Sequence, residues 1–204
     1  LCTEKNFIYF MKCLFLGYNR KKTKLIKLLE AKGYKVTNIN RKISFSDIDN
    51  NNLYISFGYR KIISKKIIQR AKRPIINLHL SFLPFNRGAH PNFWSFIENT
   101  PSGVSIHEID DGVDTGPIIF QKKIKYDYKK NKNITFKSTY NILFKEVESL
   151  FERNINKLVS KNYKTQKQKN KFSIHKKKDL PKNIKRWSKK IFSYKKNFYK
   201  LAKF

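Results

Sequence analysis

Ile75-Ile76-Asn77-Leu78-His79-Leu80-Ser81-Phe82-Leu83-Pro84 is the stretch on which the reading of this chain turns. It opens as an apolar, β-branched run, the composition of a buried strand. Asn77 and His79 stand two apart, so on a strand both side chains leave the same face. Pro84 has no N–H to give a ladder, so the strand ends before it. An amide and an imidazole therefore sit side by side at the carboxyl end of a strand, the edge where open α/β sheets bind ligands.

Upstream, residues 12–17 read as a first strand and residues 24–31 as a helix stopped by Gly33. Residues 34–39 read as a second strand, 46–52 as a loop or short helix, 53–59 as a third strand and 62–71 as a short helix. This alternation predicts an α/β fold, a Rossmann-like, mostly parallel twisted sheet with helices on both faces. Only Gly17 follows the first strand, so the three-glycine dinucleotide fingerprint is missing and no nicotinamide cofactor is expected.

Downstream, Pro91 to Ile97 reads as a helix carrying Phe93, Trp94 and Phe96. Strands over 104–109 and 117–124 flank a turn at Asp110-Asp111-Gly112. Phe136, Tyr140, Leu143, Val147, Leu150, Phe151, Ile155 and Leu158 recur every three or four residues, which predicts a long amphipathic helix over 134–158. After Val159 that pattern breaks, and residues 163–178 are Lys/Gln/Asn-rich. Asp179-Leu180-Pro181 reads as a turn, and Trp187, Ile191, Tyr194, Phe198 and Leu201 return to helical spacing. The expected organisation is a catalytic domain over 11–160 and a basic extension over 161–204. Translation is expected to start at Met11, the sole methionine, with residues 1–10 as non-native or upstream sequence.

Lys and Arg number 46 against 14 acids, a net charge of +32. That excess normally suggests a polyanion partner. Its distribution argues otherwise. Between Pro74 and Gln121 the only cation is Arg87, against Glu98, Glu108, Asp110, Asp111 and Asp114. From Lys161 onward there are 17 basic residues and one acid, Asp179. Charge is kept out of the candidate site and loaded on a solvated surface and tail, so nucleic acid is not the expected partner. Cys2 and Cys13 make no disulfide framework, and no apolar run reaches the roughly 18 residues of a membrane span. Residues 1–10 lack a signal-peptide pattern, so a cytoplasmic setting is expected. No His/Cys/Asp/Glu cluster has ligand spacing, so no metal is expected.

Three pieces in order carry a family resemblance: Asn77-Leu78-His79, then Leu83-Pro84-Phe85-Asn86-Arg87-Gly88-Ala89-His90-Pro91-Asn92-Phe93-Trp94, then Asp114-Thr115-Gly116. The set resembles the 10-formyltetrahydrofolate-dependent formyltransferases, over roughly Met11 to Leu158. Its middle piece most resembles the branch that formylates amino groups on nucleotide-linked sugars for surface polysaccharide. The resemblance implies N10-formyltetrahydrofolate as co-substrate, a nucleotide sugar such as dTDP-4-amino-4,6-dideoxyglucose as acceptor, and a homodimer. It implies a catalytic trio of Asn77, His79 and Asp114. It also implies a folate pocket lined by Gly58, Tyr59 and Ile62 on one side and Asp110, Gly112 and Val113 on the other.

The chemistry fits those residue types. Formyl transfer needs donors aimed at an oxyanion and a route for a proton. Asn77 offers an amide N–H pair, His79 can donate or shuttle a proton, and an aspartate can orient an imidazole. The substrate amine is the nucleophile, so no Ser or Cys nucleophile is needed. Asn86, Arg87, Gly88 and Trp94 are candidates for the acceptor: Arg87 for an anionic group, Trp94 for stacking. His107, on a strand, reads as packing. Other family activities remain open. One is methionyl-tRNA formylation, for which the stretch after residue 160 is short. Another is glycinamide ribonucleotide formylation, whose wording differs at Asn92-Phe93-Trp94 and Asp114-Thr115-Gly116. A basic RNA-binding module is the non-enzymatic reading.

Overall fold

The computed structural model describes residues 11–127, 133–168, 171–182, 184 and 187–195. Residues 1–10, Phe198 and Leu201 lie outside the described residues. The chain forms two compact units that divide at Ile75/Ile76.

In the first unit, β1 (Met11–Gly17), α1 (Leu25–Ala31), β2 (Tyr34–Ile39), α2 (Phe45–Ile48), β3 (Leu53–Phe57) and α3 (Lys65–Arg70) follow one another. The strands lie in the order β2-β1-β3, both pairings parallel. Every residue of β3 is buried, as is Cys13 to Gly17's stretch up to Leu16. Such continuous apolar runs suit parallel strands covered on both faces. Leu25, Ile26 and Leu29 give α1 its buried stripe. β3 stops two residues before the expected Tyr59, because Gly58 turns the chain at φ +69. A Cβ at Gly17 (φ +105) would lie 2.2 Å from the Phe57 carbonyl oxygen, so only glycine lets β1 end against β3. The helix expected from Ile62 begins only at Lys65, behind an Ile62 that is 84% exposed.

From Ile75 onward the elements are β4 (Ile75–His79), β5 (Arg87–Gly88), α4 (Pro91–Ile97), β6 (Ser102–Glu108), β7 (Ile118–Ile124), α5 (Phe136–Ser160) and β8 (Ile174–His175), with a 3₁₀ turn over Lys177–Asp179, all in the second unit but for Ile75 itself. β4, β6 and β7 are neighbours in that order, both pairings antiparallel. The α/β class is the expected one, with parallel pairing of β1, β2 and β3 in the first unit and antiparallel pairing of β4, β6 and β7 in the second. The register sets Asn77 opposite His107 and His79 opposite Ser105.

α5 carries the expected stripe: Phe136, Leu143, Val147, Leu150, Phe151, Ile155 and Leu158 are buried, and it packs on β6 and β7. Thr135 caps it, its hydroxyl accepting from the Ser138 N–H at 3.0 Å. Each fully buried side chain of that stripe contributes about 1.5–3 kcal/mol. A second cluster joins Phe93, Trp94, Phe96, Ile97 and Phe136 to Ile191 and Tyr194 of the tail.

The described residues of the tail make backbone pairings that its composition does not suggest. Ile118 and Gln166 exchange backbone hydrogen bonds of 2.8 Å. β8 pairs with β5 in parallel. Lys137 N–H donates to the Trp187 carbonyl and Ile191 N–H to the Ile134 carbonyl. These backbone bonds do not depend on side-chain periodicity, which is why the periodicity of 163–178 does not show them.

Candidate active site

The end of β4, its neighbour β6, and the turn leading into β7 meet at one carboxylate. Asp114 Oδ1 accepts from Asn77 Nδ2 at 3.1 Å, and Oδ2 accepts from the Gly88 N–H at 2.9 Å. His79 Nδ1 lies 3.6 Å from Oδ2 and His107 Nε2 lies 3.4 Å from Oδ1. The His79 and Asp114 side chains keep 10% and 16% of their surface exposed, so a ligand can reach both.

The partners decide the protons. His79 Nε2 lies 3.2 Å from the Asn86 carbonyl, which only accepts, so Nε2 carries hydrogen. Nδ1 is then where a second proton is gained or lost, facing Asp114. His107 Nδ1–H donates to the Glu108 carbonyl at 2.7 Å. In neutral His107, Nε2 therefore accepts from Asn77 Nδ2 at 3.0 Å. When His107 is charged, Nε2–H turns to Asp114 instead. Asn77 must keep its NH₂ toward the carboxylate, since the flipped amide would set two acceptors together. Burial pushes the Asp114 carboxyl up. The charge of His79, the hydrogen bond and charge of His107 and the Gly88 N–H outweigh it and hold the group well below the ordinary carboxylate range.

Local sequence explains the placement. The period-2 alternation of β4 sends Asn77 and His79 to one side, and antiparallel pairing brings His107 across to Asn77. Asp114 sits at φ +52 and Asn86 at φ +56. Asn and Asp tolerate this left-handed region better than other non-glycine residues, at a cost of order 1–3 kcal/mol. Gly88 (φ +82) has its missing Cβ 2.3 Å from the His175 carbonyl oxygen, so β8 can lie this close only to glycine.

Asn77, His79, Asp114 and the Gly88 N–H thus come together. Asn86 contributes its carbonyl, while its buried side chain donates to Thr100 Oγ1 at 2.8 Å and accepts from Ser173 Oγ at 3.3 Å. Arg87 is buried. Its Nε and Nη2 donate to Gln168 Oε1 at 3.0 and 2.8 Å, and its guanidinium lies 4.6 Å over Phe172. Burial pushes this guanidinium down from its ordinary value, while Asp110 and Asp114 oppose the shift. Trp94 stacks on His175 at 4.1 Å and belongs to the aromatic cluster.

Asp110 Oδ1 accepts from Gly112 N–H at 3.1 Å and from Thr115 Oγ1, so this carboxylate shapes the turn. Asp111, Gly112 and Val113 are exposed. In the first unit, Tyr59 Oη donates to the Arg41 carbonyl and accepts from Ile43 N–H, both at 2.9 Å, so its hydroxyl is spent within the unit. Gly58 lines a cavity of about 280 Å³ with Tyr18, Asn19, Lys22 and Arg60. Among the described residues, no three His, Cys, Asp or Glu side chains are grouped to hold a metal ion. No described helix is long and apolar enough to cross a membrane.

Two residues beside the candidate trio are not singled out by sequence. His107 reads as packing and is buried, and it also touches both Asn77 and Asp114. The signal available was the β4–β6 pairing, which needs the register to be usable. Gln168 had no local signal.

The formyl transferase family model matches residues 15–148. A formyltransferase, PseJ from Anoxybacillus kamchatkensis, crystallised with UDP-4,6-dideoxy-4-formamido-L-AltNAc and tetrahydrofolate, is 37% identical. That similarity covers 89% of this chain and 96% of the other, with a TM-score of 0.82. WlaRD, a sugar 3N-formyltransferase crystallised with dTDP and 5-N-formyl-tetrahydrofolate, is 26% identical over 85% of this chain and 72% of its own, at TM-score 0.66. The methionyl-tRNA formyltransferase of Thermodesulfovibrio yellowstonii is 44% identical over 78 residues, 38% of this chain. Matches to such curated relatives span only about a quarter of their length (24–30%).

Proposed function

The chain belongs to the formyl transferase family, and from that premise we propose that it moves a formyl group from N10-formyltetrahydrofolate to the amine of a nucleotide-linked 4-amino-4,6-dideoxy sugar. The observation that carries this reading is the Asp114 carboxylate, held between His79, Asn77 and the Gly88 N–H at a partly open site. The 37% identical relative binds a 4-formamido nucleotide sugar together with tetrahydrofolate, the product pair of such a reaction. Its ligand favours UDP as the first nucleotide to test, ahead of dTDP. Both candidates share the amine at carbon 4 and the missing hydroxyl at carbon 6.

In this mechanism the neutral amine attacks the formyl carbon, and the carbonyl oxygen takes up negative charge. The bond from carbon to N10 breaks, giving a formamide and tetrahydrofolate. His79 accepts the proton lost by the amine and returns one to N10. Asp114 orients that imidazole. Asn77 holds one N–H on Asp114 and shares the other between His107 and the oxyanion as charge develops. The exposed backbone of 111–113 receives the folate.

A second reading, formylation of methionyl-tRNA, is favoured by the 44% identity to that enzyme, but over 78 residues only. The sugar reading draws on similarity that covers 89% of this chain. The deciding experiment offers 10-formyltetrahydrofolate with UDP- and dTDP-linked 4-amino sugars, charged initiator tRNA and glycinamide ribonucleotide, and follows tetrahydrofolate release. Release with a nucleotide sugar is the expected result. Formylation of the tRNA or of the ribonucleotide, with none of the sugars accepted, contradicts the proposal. Salt-sensitive RNA binding without any transfer would favour the non-enzymatic reading.

A further inference from the structure

Gln168 lies beyond the residues matched by the family model, in a stretch whose composition announces no structure. Its side-chain amide nevertheless makes four hydrogen bonds. Oε1 accepts from Nε and Nη2 of Arg87, at 3.0 and 2.8 Å. Nε2 donates to the backbone carbonyls of Asp114 and Gly116, at 2.8 and 2.7 Å. The amide can sit only this way round, because a guanidinium offers only donors and a carbonyl only acceptors. Two residues earlier, the Gln166–Ile118 bridge pins the chain beside the start of β7.

The two segments held by this amide are the two that build the carboxylate's surroundings. One is the Asp-Thr-Gly turn, with Asp114 in a left-handed conformation at φ +52. The other is the Arg87–Gly88 strand, whose Gly88 N–H donates to Asp114 Oδ2. Asn86, the residue before that strand, supplies the carbonyl facing His79 Nε2. We propose that Gln168 is a positioning residue for formyl transfer: it ties the turn to the strand at the spacing that sets the Asp114 carboxylate against His79. The tail is then part of the active site. This inference rests on the functional reading above.

Two variants separate its two hands. Gln168→Glu keeps acceptors for Arg87 and loses both donors to the turn. Gln168→Leu loses everything. Each is assayed for kcat and KM with the accepted nucleotide sugar, and amide hydrogen exchange at Gly88 is measured with no ligand present. The expected result is a kcat lower by about 10- to 100-fold in both variants, KM changed by less than about threefold, and faster Gly88 exchange in both. Should the leucine variant fail to fold, the glutamate variant carries the test alone. A glutamate variant with wild-type kcat and unchanged Gly88 exchange overturns the proposal. So does a kcat loss that merely follows the fraction of unfolded protein. If the wild-type protein formylates no acceptor, the functional reading fails, and exchange alone decides whether the tie exists: faster exchange keeps it and unchanged exchange removes it.

Discussion

Two groups of residues meet at Asp114, and they are built in different ways. Asn77, His79 and His107 come from paired strands, where register fixes which side chains face one another. Asn86, the two-residue strand Arg87–Gly88, Gln168 and Ser173 come from the chain after β4 and from the tail, where the short β5–β8 pairing and single hydrogen bonds fix position. Ser173 Oγ accepts from the Asn86 N–H at 2.9 Å, and its carbonyl accepts from the Arg87 N–H at 2.9 Å. In the proposed mechanism the first group presents chemistry. The second holds backbone groups, the Asn86 carbonyl and the Gly88 N–H, against that chemistry. A strand can be read from its period, whereas a tie between distant loops leaves no period to read.

If this division is right, losses in the strand group should be large and should fall on the chemical step. His79→Ala should lower kcat by about a hundred- to ten-thousandfold, far more than any loss of folded protein accounts for, as steady-state kinetics and calorimetry would show. A loss under about tenfold would erase the distinction between the groups. Asn77→Ala should cost about a hundred- to a thousandfold in kcat, visible in single-turnover measurements.

Asp114 stands between the groups and should show itself in the pH dependence of stability. Its folded carboxyl lies below its unfolded value of about 3.9. The stabilisation is therefore complete above about pH 4 and is lost as pH falls through the folded value. The stability gap between wild type and Asp114→Asn should close below about pH 4 in denaturant titrations. A gap that widens there would reverse the electrostatic account. The smallest effect belongs to the tail group. Ser173→Ala should cost about 1 kcal/mol of stability and only a few-fold in kcat. A loss as deep as that of His79→Ala would promote the tail from brace to chemistry.

Much of the fold was legible from periodicity. The apolar runs of β1 to β4 and the α5 stripe answer to burial alone, and Pro91 marks the start of α4. What escaped depends on partners far away in sequence. β3 ends at Phe57 because Gly58 turns, and β8 exists only because Arg87 and Gly88 offer it an edge. In the site, the two-residue spacing of Asn77 and His79 was readable, and the Asp-Thr-Gly wording brought Asp114 into view through resemblance. His107 needed a register between two strands. The buried commitments of Arg87 to Gln168 and of Trp94 to His175 needed the tail in place. Sequence alone could offer those two side chains to a ligand, but it could not show that each already has a protein partner.

The central claim is that this site passes a formyl carbon from folate to a sugar amine. Its most direct test follows an isotopically labelled formyl carbon by NMR, with N10-formyltetrahydrofolate and a UDP-linked 4-amino-4,6-dideoxy sugar mixed with wild-type protein or His79→Ala. The account predicts a labelled formamide signal on the sugar with wild type, and far slower appearance with the variant. Label that stays on folate, or that leaves it as free formate at equal rates in both proteins, would contradict it.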